Sequence, residues 1–374
     1  MPSRLEVPSR LEVPFRLEPR GQHSRFWAWA SPLVAIVATL VVSTIIFAAL
    51  GKPAGAALYT FVISPVSSLN GWAELSVKAA PLVLIGVGLA IGFRASVWNI
   101  GAEGQFILGA IFGGGVALAA GDREGFWILP AMIVAGALGG MAWAAIPAFL
   151  KTRFNANEIL TSLMLTYVAQ LLLIYLVVGP WKDPEGYGFP QTRLFGDAAT
   201  MPILVSGTRI HLGVLAAVVA VGLGWLLYAK TLLGFQLRVL GQAPRAAAYA
   251  GFSGPGLTWF ALLLSGGMAG LAGVFEVGGP IGQLTPSISP GYGFTAIIVA
   301  FLGRLHPVGV LLGGLVLALS YLGGEKAQID LGLPNAVTGI YQGILLFFLL
   351  AADLLIGYRI RFAGRRAVAQ GGRA

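Results

Sequence analysis

The chain has 374 residues, 57% of them hydrophobic and only 10% charged, and its mean hydropathy is +0.82. Because a soluble domain carries about 25% charged residues, this composition excludes a water-soluble globular protein and predicts an integral membrane protein. The formal net charge of +9 is interpreted as topology signals in basic loops rather than a nucleic-acid-binding surface. The chain has no cysteine and only three well-separated histidines, so no metal site built from these residues is expected.

The first 26 residues are predicted to be a disordered cytoplasmic tail. They carry a six-residue repeat, PSRLEV, PSRLEV and PFRLEP, between Pro2 and Pro19. A proline in every repeat prevents a long helix, and a docking peptide is the alternative interpretation. The apolar run that follows has no small-residue cleavage site, so we expect a first membrane helix rather than a cleaved signal peptide.

Long apolar runs predict an all-α, polytopic transmembrane bundle of about ten spans, since one spanning helix needs about 20 apolar residues. A β-barrel would instead show alternating strands of about 10 residues, which these unbroken runs do not resemble. Two of the spans, 77–93 and 291–303, are short, which is typical of broken helices near a transport path. Within a membrane domain of residues 27–360, the predicted spans are 27–50, 77–93, 103–120, 126–150, 157–179, 211–229, 257–278, 291–303, 306–323 and 337–357.

Basic residues predict that both chain ends lie in the cytoplasm (N-in, C-in). Most of the 24 Lys and Arg residues fall in the two tails and in alternate loops, and cytoplasmic loops carry such an excess. Residues 361–374 form a basic cytoplasmic tail. A long loop, 180–210, contains Asp183 and Glu185 and lies outside, whereas a second long loop, 230–256, lies inside. Loops of this length are usually functional or disordered.

The stretch SVWNIGAEGQF, residues 96–106, places polar groups between two apolar segments. An ionisable side chain at the membrane centre costs roughly 2.5 to 3.5 kcal/mol, so Glu103 should face the bundle interior or water. Asn99 and Glu103 are four residues apart and would share one helix face. Gln105 would lie on another face, and Trp98 at the entrance of the helix.

Two interpretations of this polar stretch remain open. Its side chains line a translocation path, or they are structural. In the structural case, Glu103 and Asn99 hydrogen-bond to exposed backbone groups of a broken helix or pair with Arg94. A second acidic residue near a membrane segment, Glu276 in VFEVGGPIGQL, is either a gate contact or an ordinary acid at the membrane interface.

The inside loop 230–256 contains GFQLRVLGQAPRAAAYAGF, which is rich in helix formers and small residues and carries only basic charges. This composition predicts a short helix parallel to the membrane, and Pro244 suits the first turn of a helix. Arg238 and Arg245 would face an acidic partner. The alternative is an amphipathic surface helix that contacts lipid headgroups.

The sequence contains no G-x-x-x-x-G-K-[ST] phosphate loop, no G-x-S-x-G motif and no Ser/His/Asp arrangement. We therefore expect no enzyme active site in this chain. If an ATP-driven process uses this protein, the energy source must lie on another chain.

The loop 230–256 resembles the coupling segment of ATP-binding cassette (ABC) importer permeases, which docks into the ATPase subunits. Within these, it resembles the branched-chain amino acid, simple sugar and nucleoside permease family. The resemblance covers about residues 27–360, except that His306 in GRLHP stands where the family has a small polar residue. Three further stretches fit the family in the same order: VWNIGAEGQFILGA (97–110), similar to the signature of nucleoside-type members; NANEILTSLMLTYVAQLLLIYLVVGP (155–180), similar to their fifth span; and GYGFTAIIVAFLGRLHPVGVLLGGL (291–315), similar to their late paired spans.

The resemblance implies the transmembrane permease subunit of an ABC importer, most specifically for nucleosides, in the bacterial cytoplasmic (inner) membrane. ATP and Mg would bind to two separate ATPase subunits and drive alternating access, so this chain would hold no cofactor. The other implied partners are a second related permease subunit or a second copy of this chain, an extracytoplasmic substrate-binding protein and membrane lipid. Nucleic acid is not among them.

The resemblance also implies roles for particular residues. The polar patch, which would contact ribose hydroxyls or base edges or be structural, comprises Trp98, Asn99, Glu103, Gln105 and Glu276. The residues expected to couple the chain to the ATPases are Gln236, Arg238, Gly241, Pro244, Arg245, Ala246 and Gly251.

Two other functions are weighed against this one. The first is a related importer for simple sugars, which the signature at 97–110 separates only weakly. The second is a secondary transporter driven by an ion gradient. Such proteins use intramembrane acids or bases in relays; here only Glu103 and Glu276 would qualify, and the loop 230–256 would have no role.

Overall fold

The computed structural model of this chain describes residues 15–19, 25–334 and 336–362. In these ranges almost all of the regular structure is helical. The helices are α1 (Arg25–Ala49), α2 (Ala54–Leu58), α3 (Leu69–Arg94), α4 (Ala102–Ala120), α5 (Ile128–Phe154), α6 (Glu158–Val178), α7 (Leu212–Lys230), α8 (Leu232–Gln242), α9 (Pro244–Tyr249), α10 (Gly254–Glu276), α11 (Tyr292–Leu302), α12 (Pro307–Leu331) and α13 (Ala336–Gly357). Two short strands, β1 (Phe15–Pro19) and β2 (Tyr358–Phe362), flank the first and last helices.

Nine helices in the described ranges are long and apolar enough to cross a membrane: α1, α3 to α7, α10, α12 and α13. Each of the ten predicted spans corresponds to a helix, and α11 is short, as predicted. The predicted spans 77–93 and 306–323 were too short, because α3 has 26 residues and α12 has 25. Their missing turns contain charged residues, which end an apolar run in the sequence without ending the helix.

The described residues divide into two compact units. The first contains residues 15–19 and 25–46 together with 343–362. Here β1 and β2 pair antiparallel, with Leu17 opposite Ile360, and Ser31 Oγ donates to Asp353 Oδ1 at 2.7 Å. Residues 15–19 lie in the segment predicted to be disordered, so that prediction is wrong for them. The described residues also include 361 and 362 of the predicted basic tail, which complete β2.

The second unit, residues 47–342, is built around α3, which is apolar on nearly every side and largely buried. Helices α4, α5 and α10 pack against one another through glycines. A Cβ on Gly109 would lie 2.3 Å from the Cα of Gly270, and one on Gly140 would lie 2.1 Å from the carbonyl oxygen of Gly266. Small residues permit such close packing of backbones, which is how membrane helices associate without a hydrophobic driving force.

The chain between α10 and α11 is irregular, beginning with a π-helical turn at Val277–Ile281. The long loop 180–210 lies along this segment and is ordered. Its amide groups at Thr192, Phe195 and Met201 donate to the carbonyl oxygens of Leu284, Gly282 and Gly278 at 3.1, 2.9 and 2.7 Å. These hydrogen bonds satisfy backbone groups that the irregular segment leaves without partners of its own.

Candidate functional site

Asn99 and Gln105 form a reciprocal pair of amide side chains in the protein interior. Asn99 Nδ2 donates to Gln105 Oε1 at 2.7 Å, and Gln105 Nε2 donates to Asn99 Oδ1 at 3.0 Å. Asn99 Nδ2 also donates to Ser265 Oγ of α10 at 2.9 Å. Because α4 begins at Ala102, Asn99 lies in the turn before the helix. The prediction that Asn99 and Glu103 share one helix face is therefore wrong.

Glu103, in the first turn of α4, contacts the N-terminus of the short helix α11. Its Oε2 accepts a hydrogen bond from the amide of Gly293 at 2.6 Å, and the Ser289 hydroxyl and the Phe294 amide also hydrogen-bond to this carboxyl group. The first amides of a helix have no partners within it, and the helix dipole favours negative charge there. This geometry is the one that the structural interpretation of Glu103 describes. The alternative pairing with Arg94 is not formed.

Glu276, the last residue of α10, is a second buried acid, only 7% exposed. Its Oε1 accepts from the hydroxyl of Tyr292 at 3.4 Å. The Tyr292 ring packs edge-on against Tyr321 at 5.5 Å, and the Tyr321 hydroxyl lies 2.8 Å from Thr295 Oγ1. These two tyrosines and the threonine are not among the predicted site residues. In the sequence, the sign that could have identified each of them is a polar side chain inside an otherwise apolar helix.

Two ion pairs lie near Glu276 and tie α3 to neighbouring segments. Lys78 Nζ is 2.9 Å from Glu325 Oε1 of α12, and Arg209 makes two hydrogen bonds to the carboxylate of Glu74, one of them at 2.8 Å. The hydrogen bond to Glu74 raises the pKa of Arg209 above its ordinary value. Neither pair was predicted, because Glu74 and Glu325 lie outside the predicted spans.

His211 precedes α7 and is buried against the π-helical turn. Its Nδ1 accepts from the Gly213 amide at 3.1 Å, and a Cβ on Gly279 would lie 2.9 Å from the imidazole ring. Burial lowers the pKa of His211 to about 4. His211 is therefore neutral at physiological pH, and its protonation opposes the folded state.

This burial predicts a loss of stability in acid. Because the pKa in the folded protein lies below the unfolded value of about 6.5, the unfolded state binds the proton first. The free energy of unfolding should fall from about pH 6.5 to about pH 4, by at most roughly 1.4 kcal/mol per pH unit. Thermal unfolding of the purified protein at stepped pH measures this. His211→Gln should flatten the profile, and an unchanged slope in that variant would assign the effect to other groups.

Trp98 belongs to an aromatic cluster. Its ring centroid lies 4.9 Å from Phe93 and 6.2 Å from Phe301, and Phe93 and Phe301 are stacked at 5.5 Å. These contacts join the end of α3 to α11. Such ring contacts are expected where helices pack against one another. A role of Trp98 in a substrate path stays a prediction.

The loop 230–256 forms two helices, α8 and α9, instead of the single helix that was predicted. Pro244 opens α9, as its position predicted. Gly241 packs on the end of α3: a Cβ there would lie 2.0 Å from the carbonyl oxygen of Arg94, and Ser96 Oγ donates to the Gly241 carbonyl at 3.1 Å. The segment is thus held against the turn that leads to the Asn99 and Glu103 contacts.

The residues predicted to meet the ATPases differ in exposure. Arg245, Ala246, Gly251 and Pro244 are exposed, whereas Gln236 and Gly241 are partly buried. Arg238 is also partly buried, and its guanidinium carbon lies 4.8 Å from the ring centroid of Tyr228. Contact of Arg238 and Arg245 with an acidic partner stays a prediction.

Comparisons with known proteins fit this architecture. Residues 71–350 match the family model described as "Branched-chain amino acid transport system / permease component". The chain is 37% identical to a glucose ABC transporter permease of Haloferax volcanii, covering 92% of this chain and 93% of the relative. It is 30% identical to a guanosine ABC transporter permease of Bacillus subtilis (88% and 94%) and 26% identical to a nucleoside ABC transporter permease of Lactococcus lactis (85% and 89%).

These matches contradict the alternative of a secondary transporter driven by an ion gradient. They also place the chain in the cell membrane as a multi-pass protein. The chain belongs to the branched-chain amino acid transport system permease family, and it is the permease subunit of an ABC importer, a transport component rather than an enzyme.

Proposed function

We propose that this permease imports a nucleoside, with a simple sugar as the second candidate. The observation that carries the proposal is near full-length similarity to relatives named for guanosine and for glucose. A nucleoside and a simple sugar share a hydroxylated sugar ring. The stretch at 97–110 favours the nucleoside. Sequence identity favours the sugar, because it is 37% to the glucose permease and 30% to the guanosine permease.

In the proposed cycle, the exposed surface of α8 and α9 docks into two ATPase subunits, which bind ATP and Mg²⁺. Gly241 and Ser96 connect α8 to the end of α3. The turn beyond Ser96 reaches α10 through Asn99 and α11 through Glu103. Motion of α8 would therefore pass to the broken-helix region and alternate access across the membrane. A second permease subunit, or a second copy of this chain, completes the pore.

The proposed docking site of the extracytoplasmic binding protein is the loop 180–210. Asp183 and Glu185 form a local turn there, in which Asp183 Oδ1 accepts from the Glu185 amide at 3.0 Å. Exposed aromatic side chains, Tyr187 at 98% and Phe189 at 66%, flank the acids. Tyrosine and phenylalanine beside polar groups are typical of protein interfaces.

The function is tested by uptake in cells that lack this gene and in cells that regain it. Labelled adenosine and labelled glucose are each supplied at low concentration, with unlabelled uridine, ribose, galactose and leucine as competitors. Gene-dependent adenosine uptake that competes with uridine, and that survives collapse of the proton gradient, supports the nucleoside. Gene-dependent uptake of glucose alone would replace it with the sugar. Uptake of neither label that depends on the gene would reject both.

The coupling role predicts that Arg245→Glu uncouples transport from ATP hydrolysis. A like-charge contact at an interface costs several kcal/mol, so we expect uptake to fall at least about tenfold while the protein stays folded. Uptake and ATP hydrolysis are measured together in vesicles that contain the whole transporter. Arg153→Glu is the matched control, because Arg153 is an exposed arginine in the last turn of α5, away from α8 and α9. Equal uptake in the two variants would reject this role of Arg245.

A further inference from the structure

Two arginines share one tyrosine ring where α3, α7 and α8 meet. The guanidinium carbon of Arg94 lies 3.6 Å from the ring centroid of Tyr228, and that of Arg238 lies 4.8 Å from it. Arg94 is the last residue of α3, Tyr228 lies in the last turn of α7, and Arg238 lies in the middle of α8. Three elements that are distant in sequence therefore bring two positive charges together.

Within the described ranges, neither of these arginines has a counter-charge. The ion pairs of the described residues join Lys78, Lys151 and Arg209 to acids, and none includes Arg94 or Arg238. Arg94 Nη1 and Arg238 Nε are buried without a hydrogen-bond partner among the described residues. Like charges repel strongly where water is partly excluded, and a partly buried charge requires pairing. The tyrosine ring supplies only weak cation–π attraction.

A third basic group lies beside the pair. His306 is the residue that departs from the family pattern, and burial and the positive charge of Arg94 lower its pKa. It ends a turn in which Arg304 and Leu305 both have positive φ, at 53° and 56°. Two consecutive non-glycine residues in the left-handed region are uncommon and indicate a turn held in place by its surroundings.

Arg94, Arg238 and His306 form a positive cluster, and its position indicates which kind of anion could balance its charge. Spanning helix α3 ends at Arg94, α7 ends at Lys230 just after Tyr228, and α12 begins directly after His306. In a bilayer, the ends of such apolar spans would lie near the phospholipid headgroups. The sequence from Lys230 to Gly256 contains no acidic residue, so the coupling segment supplies no internal carboxylate.

We propose that Arg94 and Arg238, held by Tyr228, form a phosphate-binding site on the cytoplasmic side of the permease. The phosphate comes from an anionic phospholipid of the inner leaflet or from free phosphate in the cytoplasm. Guanidinium groups bind phosphate oxygens through paired N–H donors in a fixed plane. Because Arg238 belongs to α8, the bound anion stabilises the contact between the coupling segment and α3.

The first experiment measures lipid retention by the full chain. The permease is purified from nanodiscs of phosphatidylcholine with phosphatidylglycerol, and bound lipid is counted by native mass spectrometry. We expect about a tenfold preference for phosphatidylglycerol. Arg94→Gln with Arg238→Gln should abolish it, whereas Arg153→Gln, which removes an exposed arginine of α5, should leave it unchanged.

A second arm separates free phosphate from lipid. In nanodiscs of phosphatidylcholine alone, inorganic phosphate should raise the Tm of the wild type above that in chloride at equal ionic strength if the soluble anion is the ligand. Arg238→Glu serves as the variant that keeps the fold, because the new carboxylate can pair with Arg94. It should retain thermal stability and lose both responses. The proposal fails if the wild type shows neither response, or if the double glutamine variant keeps the one observed.

Discussion

Replacing Gly293 with alanine is expected to prevent the permease from folding. A Cβ at this position would lie 2.2 Å from the amide nitrogen of Glu103 and 2.5 Å from its Cα. Both contacts are with backbone, which has no side-chain rotamer to relieve them. Overpacking a tight core costs about 1–3 kcal/mol and occasionally more, and the displaced α11 would also lose its hydrogen bond to the carboxylate.

The yield of monodisperse protein extracted from membranes, and its Tm, measure this effect. Gly222→Ala is the matched control, because Gly222 also lies in a helix and a Cβ there meets nothing within 4 Å. That substitution should be neutral or slightly stabilising, since alanine favours helices over glycine by about 0.5–1 kcal/mol. A Gly293→Ala protein that folds and transports like the wild type would show that α4 and α11 do not touch there.

Removing the Glu103 carboxylate has the second-largest expected effect. Glu103→Ala leaves the amide of Gly293 buried without a partner, and a hydrogen bond to a charged group contributes about 1.5–3 kcal/mol. We expect a marked fall in Tm and loss of uptake. Glu103→Gln keeps one acceptor oxygen without the charge that favours a helix N-terminus, so its Tm should lie between those of the alanine variant and the wild type.

The glutamine variant also separates the two interpretations of Glu103. If Glu103 is structural, uptake should fall in proportion to folded protein, and KM should stay at its wild-type value. If it contacts the cargo, KM should rise in protein that is fully folded. Unchanged uptake and unchanged Tm in Glu103→Gln would reject both roles.

The helices of this protein were predictable because their main signal, a run of apolar residues, is local. All ten predicted spans have helical counterparts, and the errors in α3 and α12 have one cause. Glu74 and Glu325 interrupt the apolar runs, although each is paired in the structure, Glu74 with Arg209 and Glu325 with Lys78. A hydropathy profile shows each charged residue, but it does not show the partner that neutralises the charge from another part of the fold.

The sequence predicted where the polar residues around Asn99 and Glu103 lie in the chain, but not which residues they contact. The stretch at 96–106 is recognisable by its polar residues. However, Ser265, one hydrogen-bond partner of Asn99, lies 166 residues away, and Gly293, which donates to Glu103, lies 190 residues away. Likewise, Arg238 and Arg245 are equivalent by composition. Only the position of Tyr228 on α7 turns one of them inward, and no local pattern encodes that position.

The strands β1 and β2 can pair only late in the synthesis of the chain, because they lie near its opposite ends. Pro19 pairs with Tyr358, and at roughly 5–20 residues per second the second strand leaves the ribosome on the order of tens of seconds after the first. Every membrane helix of the chain is synthesised in that interval, while β1 has no β2 to pair with. Pairing of the strands therefore requires that synthesis has passed β2, and a chain that stops before Tyr358 leaves an open strand edge for proteolysis or aggregation.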